Sequence, residues 1–302
     1  MSNCQKYWWQ LSFCAHANLE EIIYWKLSDL RIDKIALTSN LLNLEVHNYS
    51  LWIPDIETSS FDRKNIIDQL TTLIEMNKFT FDSYNWKRIV DKDWSASWKN
   101  HWSPDPVGSS LLILPNWLDL PEKYADRVVI RIDPGLAFGT GSHPTTRLCL
   151  KYLESKPPRE LSVADIGCGS GILAIASLHL GAKNVFAVDT DLLAVKSTLS
   201  NIKLNHFDQT KILVSCGSLD VLEENLNKTS LDLVMCNILP PVLRDFAPDL
   251  NQLVKVRGTA LLSGILNDQA EDIVNIYSRF GWEIVTILSM DNWHLIELRR
   301  VS

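Results

Sequence analysis

The run Val163-Ala-Asp-Ile-Gly-Cys-Gly-Ser-Gly-Ile-Leu173 constrains this chain more than any other segment. An apolar strand passes into a glycine-rich turn, and a helix starts at once. Glycines admit positive φ and let a ligand approach the backbone, and a helix start presents N–H groups with no partner inside the helix. Asp189 closes the next apolar strand, Val185-Phe-Ala-Val-Asp189. A carboxylate in that place can accept both hydroxyls of an adenosine ribose.

Two cofactor classes share this geometry. A dinucleotide enzyme wants G-x-G-x-x-G, so that the helix start receives a pyrophosphate. Here the spacing is Gly167-x-Gly169-x-Gly171, and Asp165 stands just before the first glycine. An anion there is awkward beside a pyrophosphate but suits a cofactor with a cationic ammonium and sulfonium. That cofactor is S-adenosylmethionine, with Asp165, Gly167, Gly169 and Asp189 as candidate binding residues.

From Leu111 onward strand patterns alternate with helical ones, notably Gly171–Leu180, Leu192–Leu204, Pro241–Val254 and Asp268–Phe280. Strands separated by helices of this length predict βαβ units and a mostly parallel sheet. The last two strands, Glu283–Leu288 and His294–Leu298, meet across too few residues for a crossover, which predicts an antiparallel hairpin. A parallel sheet ending in such a hairpin is how a seven-stranded methyltransferase sheet ends. The first ninety residues read β-α-β-β-α-β, the split βαβ or ferredoxin-like order, with Asn18 and Asp62 expected to open the two helices. Trp94, Trp98 and Trp102 fall on one face of a short helix stopped by Pro104. The predicted organisation is a small α+β substrate-recognition domain over 1–90, a linker over 91–117 and a class I, Rossmann-like α/β methyltransferase domain over 118–302.

Two further loops carry polar residues. In Asp133-Pro-Gly-Leu-Ala-Phe-Gly-Thr-Gly-Ser-His-Pro-Thr-Thr146, Pro144 sits at a plausible first helical position, with Thr146 in the first turn. The loop reads either as a capped turn or as a lid whose Thr146 meets the cofactor's amino-acid end. His143 reads as a loop-shaping or capping residue rather than a base. In Leu231-Asp-Leu-Val-Met-Cys-Asn-Ile-Leu-Pro-Pro241, an apolar strand ends at Asn237, where parallel strands face a ligand crevice. Asn237 either caps the next helix or turns its amide toward a reacting amine, which is catalysis by orientation.

Composition excludes other classes. The formal charge is -7, neither half is strongly polarised, and no apolar run spans a bilayer. Neither stable nucleic-acid binding nor a membrane is expected. The N-terminus lacks the pattern of a signal peptide, and six scattered cysteines fit reduced thiols without a metal. The expected location is the cytoplasm.

These motifs together resemble the ribosomal protein L-eleven methyltransferase family. The resemblance rests on Asp133 to Thr146, Asp165 to Ile175, Asn237-Ile-Leu239 and Leu262-Ser-Gly-Ile-Leu266, with the linker tryptophans and Pro115-Asn-Trp117 also fitting. It implies S-adenosylmethionine-dependent trimethylation of lysine side chains and of the N-terminal amine of that free ribosomal protein, by an enzyme expected to be a monomer. By position it implies Thr146, Gly167, Asp189 and Asn237 as cofactor-binding residues. Asn237, Ile238 and Leu239 then form the catalytic segment. Two departures stand out: Pro240-Pro241 where small flexible residues are usual, and Ser142 for a more usual threonine. Methylation of ribosomal RNA is the alternative, although the RNA-binding pattern of a basic residue, glycine and aromatic is absent from Leu42 to Ile53.

Overall fold

The computed structural model describes residues 7–30, 32, 34–40, 43–55, 59–81, 83–90, 102–133, 141–227 and 229–301. The chain divides into two compact units, Met1–Ser103 and Pro104–Ser302.

The first unit runs β1 (Tyr7–His16), α1 (Glu20–Asp29), β2 (Lys34–Asn40), β3 (Asn43–Pro54), α2 (Ser60–Met76) and β4 (Tyr84–Val90). Its sheet is antiparallel throughout, in the order β2-β3-β1-β4, which is the arrangement expected from the sequence. Leu11, Phe13 and Ala15 alternate along β1 and so share one face. There they meet Tyr49 and Leu51 of β3, Ile23 and Leu27 of α1, and Ile66, Leu70 and Ile74 of α2.

Local boundaries differ from the expectation for physical reasons. His16, not Asn18, closes the first helical turn, its ring Nδ1 accepting the Asn18 N–H. Ser59 caps α2, and Asp62 lies inside the helix as the other half of a capping box. Phe79 and Phe81 precede β4 rather than belonging to it, because their rings pack on His16 and Phe13 instead of extending the ladder. Trp94 and Trp98 lie outside the described residues.

The second unit opens with β5 (Asp105–Val107), β6 (Leu111–Pro115) and β7 (Val128–Ile132), which form one three-stranded sheet. Much of the segment expected as linker is thus built into this unit by its ladder to β7. Then follow α3 (Pro144–Ser155), β8 (Ser162–Ile166), α4 (Ile172–His179), β9 (Asn184–Asp189), α5 (Leu192–Leu204), β10 (Ile212–Cys216), α6 (Leu219–Leu226) and β11 (Leu231–Asn237). The unit ends with α7 (Pro240–Phe246), α8 (Leu250–Leu253), β12 (Val254–Leu266), α9 (Ala270–Ser278), β13 (Trp282–Met290) and β14 (Trp293–Arg300). The single helix expected over Pro241–Val254 is therefore two short ones, and β12 begins at Val254 already paired with Leu231.

The large sheet has the order β10-β9-β8-β11-β12-β14-β13, parallel except for the final antiparallel hairpin. Helices bury both faces, as a parallel sheet requires. Val163, Leu233 and Met235 pack toward α3, α4 and α5. Ala164, Ile166, Val234 and Cys236 pack toward α6, α7 and α9. Strand order reverses between β8 and β11, so the ends of β8, β9 and β11 open onto one crevice.

Candidate active site

The glycine turn sits at the end of β8. Gly167, Gly169 and Gly171 all hold left-handed backbone, with φ of 73°, 55° and 78°. Gly167 is required for a second reason. A Cβ built there would lie 2.3 Å from Ile238 Cγ2. Ile238 is held in turn at Gly264, whose added Cβ would meet the Ile238 carbonyl oxygen at 2.6 Å. Two glycines on separate strands thus admit the segment after Asn237 close to the turn.

Asp189 ends β9 and braces the turn from the side. Its Oδ2 accepts the Gly169 N–H at 2.9 Å and its Oδ1 accepts the Asp191 N–H at 2.9 Å. Burial raises its pKa while those two bonds oppose the rise. Each carboxylate oxygen accepts more than one bond, so capacity toward ribose hydroxyls remains. Asp165 is differently placed. It is 1% exposed, and its Oδ2 accepts the Ala174 N–H in the first turn of α4 at 3.0 Å. Burial, with repulsion from Asp189, pushes its carboxyl up to about 7. Asp165 therefore secures the start of α4 from the end of β8.

Thr146 and Asn237 come together from distant parts of the chain. Pro144 opens α3, and His143 caps it by accepting the Thr145 N–H. The imidazole is sealed against the Trp293 ring, 4.9 Å away edge-on, and its Nδ1 lies 2.7 Å from Thr145 Oγ1. That is a capping residue, as the sequence suggested. Thr146 is buried in the same turn and accepts from Asn237 Nδ2 at 3.3 Å. Asn237 does not cap the next helix, because Leu239 holds that position and no side chain bonds there. Its half-buried amide is instead tied to Thr146 at the end of β11. Leu239 is exposed and Pro240 buried. Residues 134–140 of the preceding loop lie outside the described residues.

One set of polar residues escaped the sequence reading. Thr198 and Asn201 of α5 lie on one face, and Asn205 at the helix's C-cap continues the spacing. Thr198 Oγ1 donates to the Gly169 carbonyl at 2.9 Å, and Asn201 Nδ2 donates to the Ser170 carbonyl at 2.8 Å. Asn201 Oδ1 accepts the Asp133 N–H at 2.8 Å. Asn205 pairs with both backbone groups of Arg131, at 2.9 and 2.7 Å. The available signal was Asn201 and Asn205 four residues apart in a helix that follows the acidic strand end.

Among the described residues no cluster of three metal-ligating side chains occurs, and five cysteines are free. No described helix is long and apolar enough to cross a membrane.

The sheet order, the glycine turn and the acidic end of the neighbouring strand define a class I methyltransferase. The family model for ribosomal protein L11 methyltransferase matches residues 7–301, and the chain belongs to that family, whose enzymes use S-adenosylmethionine. It is 45% identical to a ribosomal protein L11 methyltransferase from Prochlorococcus marinus, over 97% of each chain. It is likewise 45% identical to one from Parasynechococcus marenigrum, covering 93% of this chain and 98% of the relative. A crystal structure of a ribosomal protein L11 methylase from Lactobacillus delbrueckii subsp. bulgaricus superposes with a TM-score of 0.60 at 32% identity. That match covers 67% of this chain and all of the other.

Proposed function

We propose that this enzyme methylates lysine side chains and the N-terminal amine of free ribosomal protein L11, and that Asn237 orients each amine for transfer. The carrying observation is the placement of Asn237: its side chain is held by Thr146 rather than spent on a helix cap. The residues present fit S-adenosylmethionine. The turn holds three glycines at positive φ, with Ile238 packed on the first, so its backbone carries no side chains to keep a ligand away. Asp189 offers a half-buried carboxylate for ribose hydroxyls, and Gly171 brings no side chain to the start of α4, where Asp165 takes the Ala174 N–H from the side of the sheet. Thr146, Gly167, Gly169, Asp189 and Asn237 would hold it, and its positive charge would favour the ionised form of Asp165. When bound, the cofactor supplies a methyl group on a cationic sulfur.

The protein's task is then to present a neutral amine in line. A free lysine has a pKa of about 10.4, so it arrives charged. Burial beside a cation disfavours the ammonium form and releases its proton to solvent. The Asn237 side-chain oxygen accepts one N–H of the neutral amine and fixes the direction of its lone pair. Ile238, pressed on Gly167, keeps that segment at a fixed height over the turn, and Leu239 offers an apolar edge to a lysine stem. His143 serves as the cap of α3 rather than as a base, its ring buried and its Nδ1 engaged with Thr145. The first unit recognises the substrate, and the enzyme works as a cytoplasmic monomer. An acidic enzyme suits a basic protein partner.

Intact-mass spectrometry tests this reading. Incubation of unmodified L11 with enzyme and S-adenosylmethionine should add mass in ~14 Da steps, the weight of CH2. Asn237→Ala should slow the steps about 100-fold, the loss expected when a reacting group is no longer aligned, with the fold intact by circular dichroism. Methyl incorporation into protein-free ribosomal RNA, with none into L11, would overturn the substrate.

A further inference from the structure

We infer that Thr198 and Asn201 of α5 are positioning residues that set the shape of the cofactor turn and tie it to the chain's entry into the loop before α3. The inference rests on the reading of the glycine turn as the cofactor cradle. Both residues are fully buried. A buried amide and a buried hydroxyl stabilise a fold only when bonded, and here the side-chain partners are the backbone of Gly169, Ser170 and Asp133 and the thiol of Cys168.

The partners specify the role. Thr198 Oγ1 lies 2.9 Å from the Gly169 oxygen and 3.3 Å from Cys168 Sγ, and its methyl group fills the space a side chain at Gly171 would need. Asn201 takes the next carbonyl, that of Ser170, and with its other end holds the Asp133 N–H. Two successive carbonyls of the turn are thus drawn toward α5, away from the side at which Asp189 takes the Gly169 N–H. Peptide orientation in a glycine run is otherwise weakly specified, because each glycine tolerates several backbone conformations. The helix removes that freedom. The same amide fixes the turn relative to Asp133, eleven residues before Pro144 opens the helix that carries Thr146. Neither side chain touches the substrate, so the role is one of positioning.

Asn201→Asp separates this from simple support of the core. The carboxylate keeps an acceptor for the Asp133 N–H but puts oxygen against the Ser170 carbonyl. Isothermal titration with S-adenosylmethionine should show about tenfold weaker binding, with KM for the cofactor rising in parallel. At saturating cofactor kcat should stay within threefold, and KM for the protein substrate should not move. Thr198→Val, which preserves volume and removes the hydroxyl, should weaken cofactor binding about threefold and decides the matter if Asn201→Asp does not fold. Tyr152→Phe removes a buried hydroxyl bonded to Glu297, remote from the turn. It should lower Tm and leave cofactor affinity unchanged. Affinities within twofold of wild type in the folded α5 variants, whatever their Tm, would overturn the inference. Failure of the wild-type enzyme to bind S-adenosylmethionine would overturn the reading of the turn instead.

Discussion

The two units start their helices in different ways. In the first, α2 is closed by its own neighbours. Ser59 Oγ accepts the Asp62 N–H at 3.2 Å, and the Asp62 carboxylate accepts the Ser59 N–H at 2.7 Å. In the second, α4, α6 and α7 follow β8, β10 and β11 at the crevice, and none has a side-chain bond from its N-cap residue. Only α5 among the helices that follow these four strands is capped, by Asp191 accepting the Leu193 N–H. A capping box closes a helix to ligands while stabilising it. At α4 Asp165 takes the Ala174 N–H from the end of β8, and at α7 Pro240 and Pro241 bring no N–H at all. What stays open to a ligand's polar groups is the glycine turn with the first N–H groups of α4. One region is built to stay shut and the other to be completed on binding.

The largest break in that contrast comes from filling the open turn. Gly167→Ala places a methyl group 2.3 Å from Ile238 Cγ2 at a backbone φ of 73°. Strain of this kind costs about 1–3 kcal/mol. Ile238 must shift, and Asn237 with it. Cofactor affinity measured by titration should fall at least 100-fold, and Tm should fall as well. Binding within threefold of wild type would mean that the turn is not the cradle.

How far the sequence shows these features depends on how many residues each one needs. The glycine turn, Asp189 and the closing hairpin are legible because few residue types permit them. Residues such as Thr198 and Asn201 are not. Along α5 the exposed positions include Leu192, Leu193 and Leu199, while Thr198 and Asn201 are buried. A periodicity argument assigns that helix the wrong inner face, because its polar side meets loop carbonyls rather than water. The 3-10 turn Ala17–Leu19 before α1 hides for a related reason, since a histidine does the capping usually left to Ser, Thr, Asp or Asn. The entry to the second unit hides because β5, only three residues long, gains its identity from pairing with β6.

A second prediction concerns Asp165, which closes α4 from within the sheet. Burial raises its carboxyl from the ordinary 3.8 to about 7. The folded protein therefore holds this proton more tightly than the unfolded chain. The contribution to stability is complete below about pH 4 and is lost as pH rises toward 7. Asp165→Asn keeps an oxygen for the Ala174 N–H and removes the charge. Urea unfolding of the variant should lose this part of the pH dependence and show greater stability than wild type at pH 8. S-adenosylmethionine should bind about tenfold more weakly, since a negative charge near a cationic ligand is gone. Unchanged affinity would remove Asp165 from the cofactor's electrostatic partners and leave it a helix anchor alone.

The smallest effect should come from opening the closed helix. Ser59→Ala removes one half of the α2 capping box and costs about 1 kcal/mol. In a domain of roughly this size that is a loss of about 4–8 °C in Tm. The loss should fall on the first unit, read from the fluorescence of Trp9, whose ring lies under Arg63 of α2 at 3.7 Å. Cofactor affinity should stay within twofold of wild type, because the glycine turn and Asp189 belong to the other unit. KM for the protein substrate should rise slightly if the first unit recognises L11. A fall in cofactor affinity comparable to that of the α5 variants would show that the two kinds of helix start do not divide stability from binding as proposed.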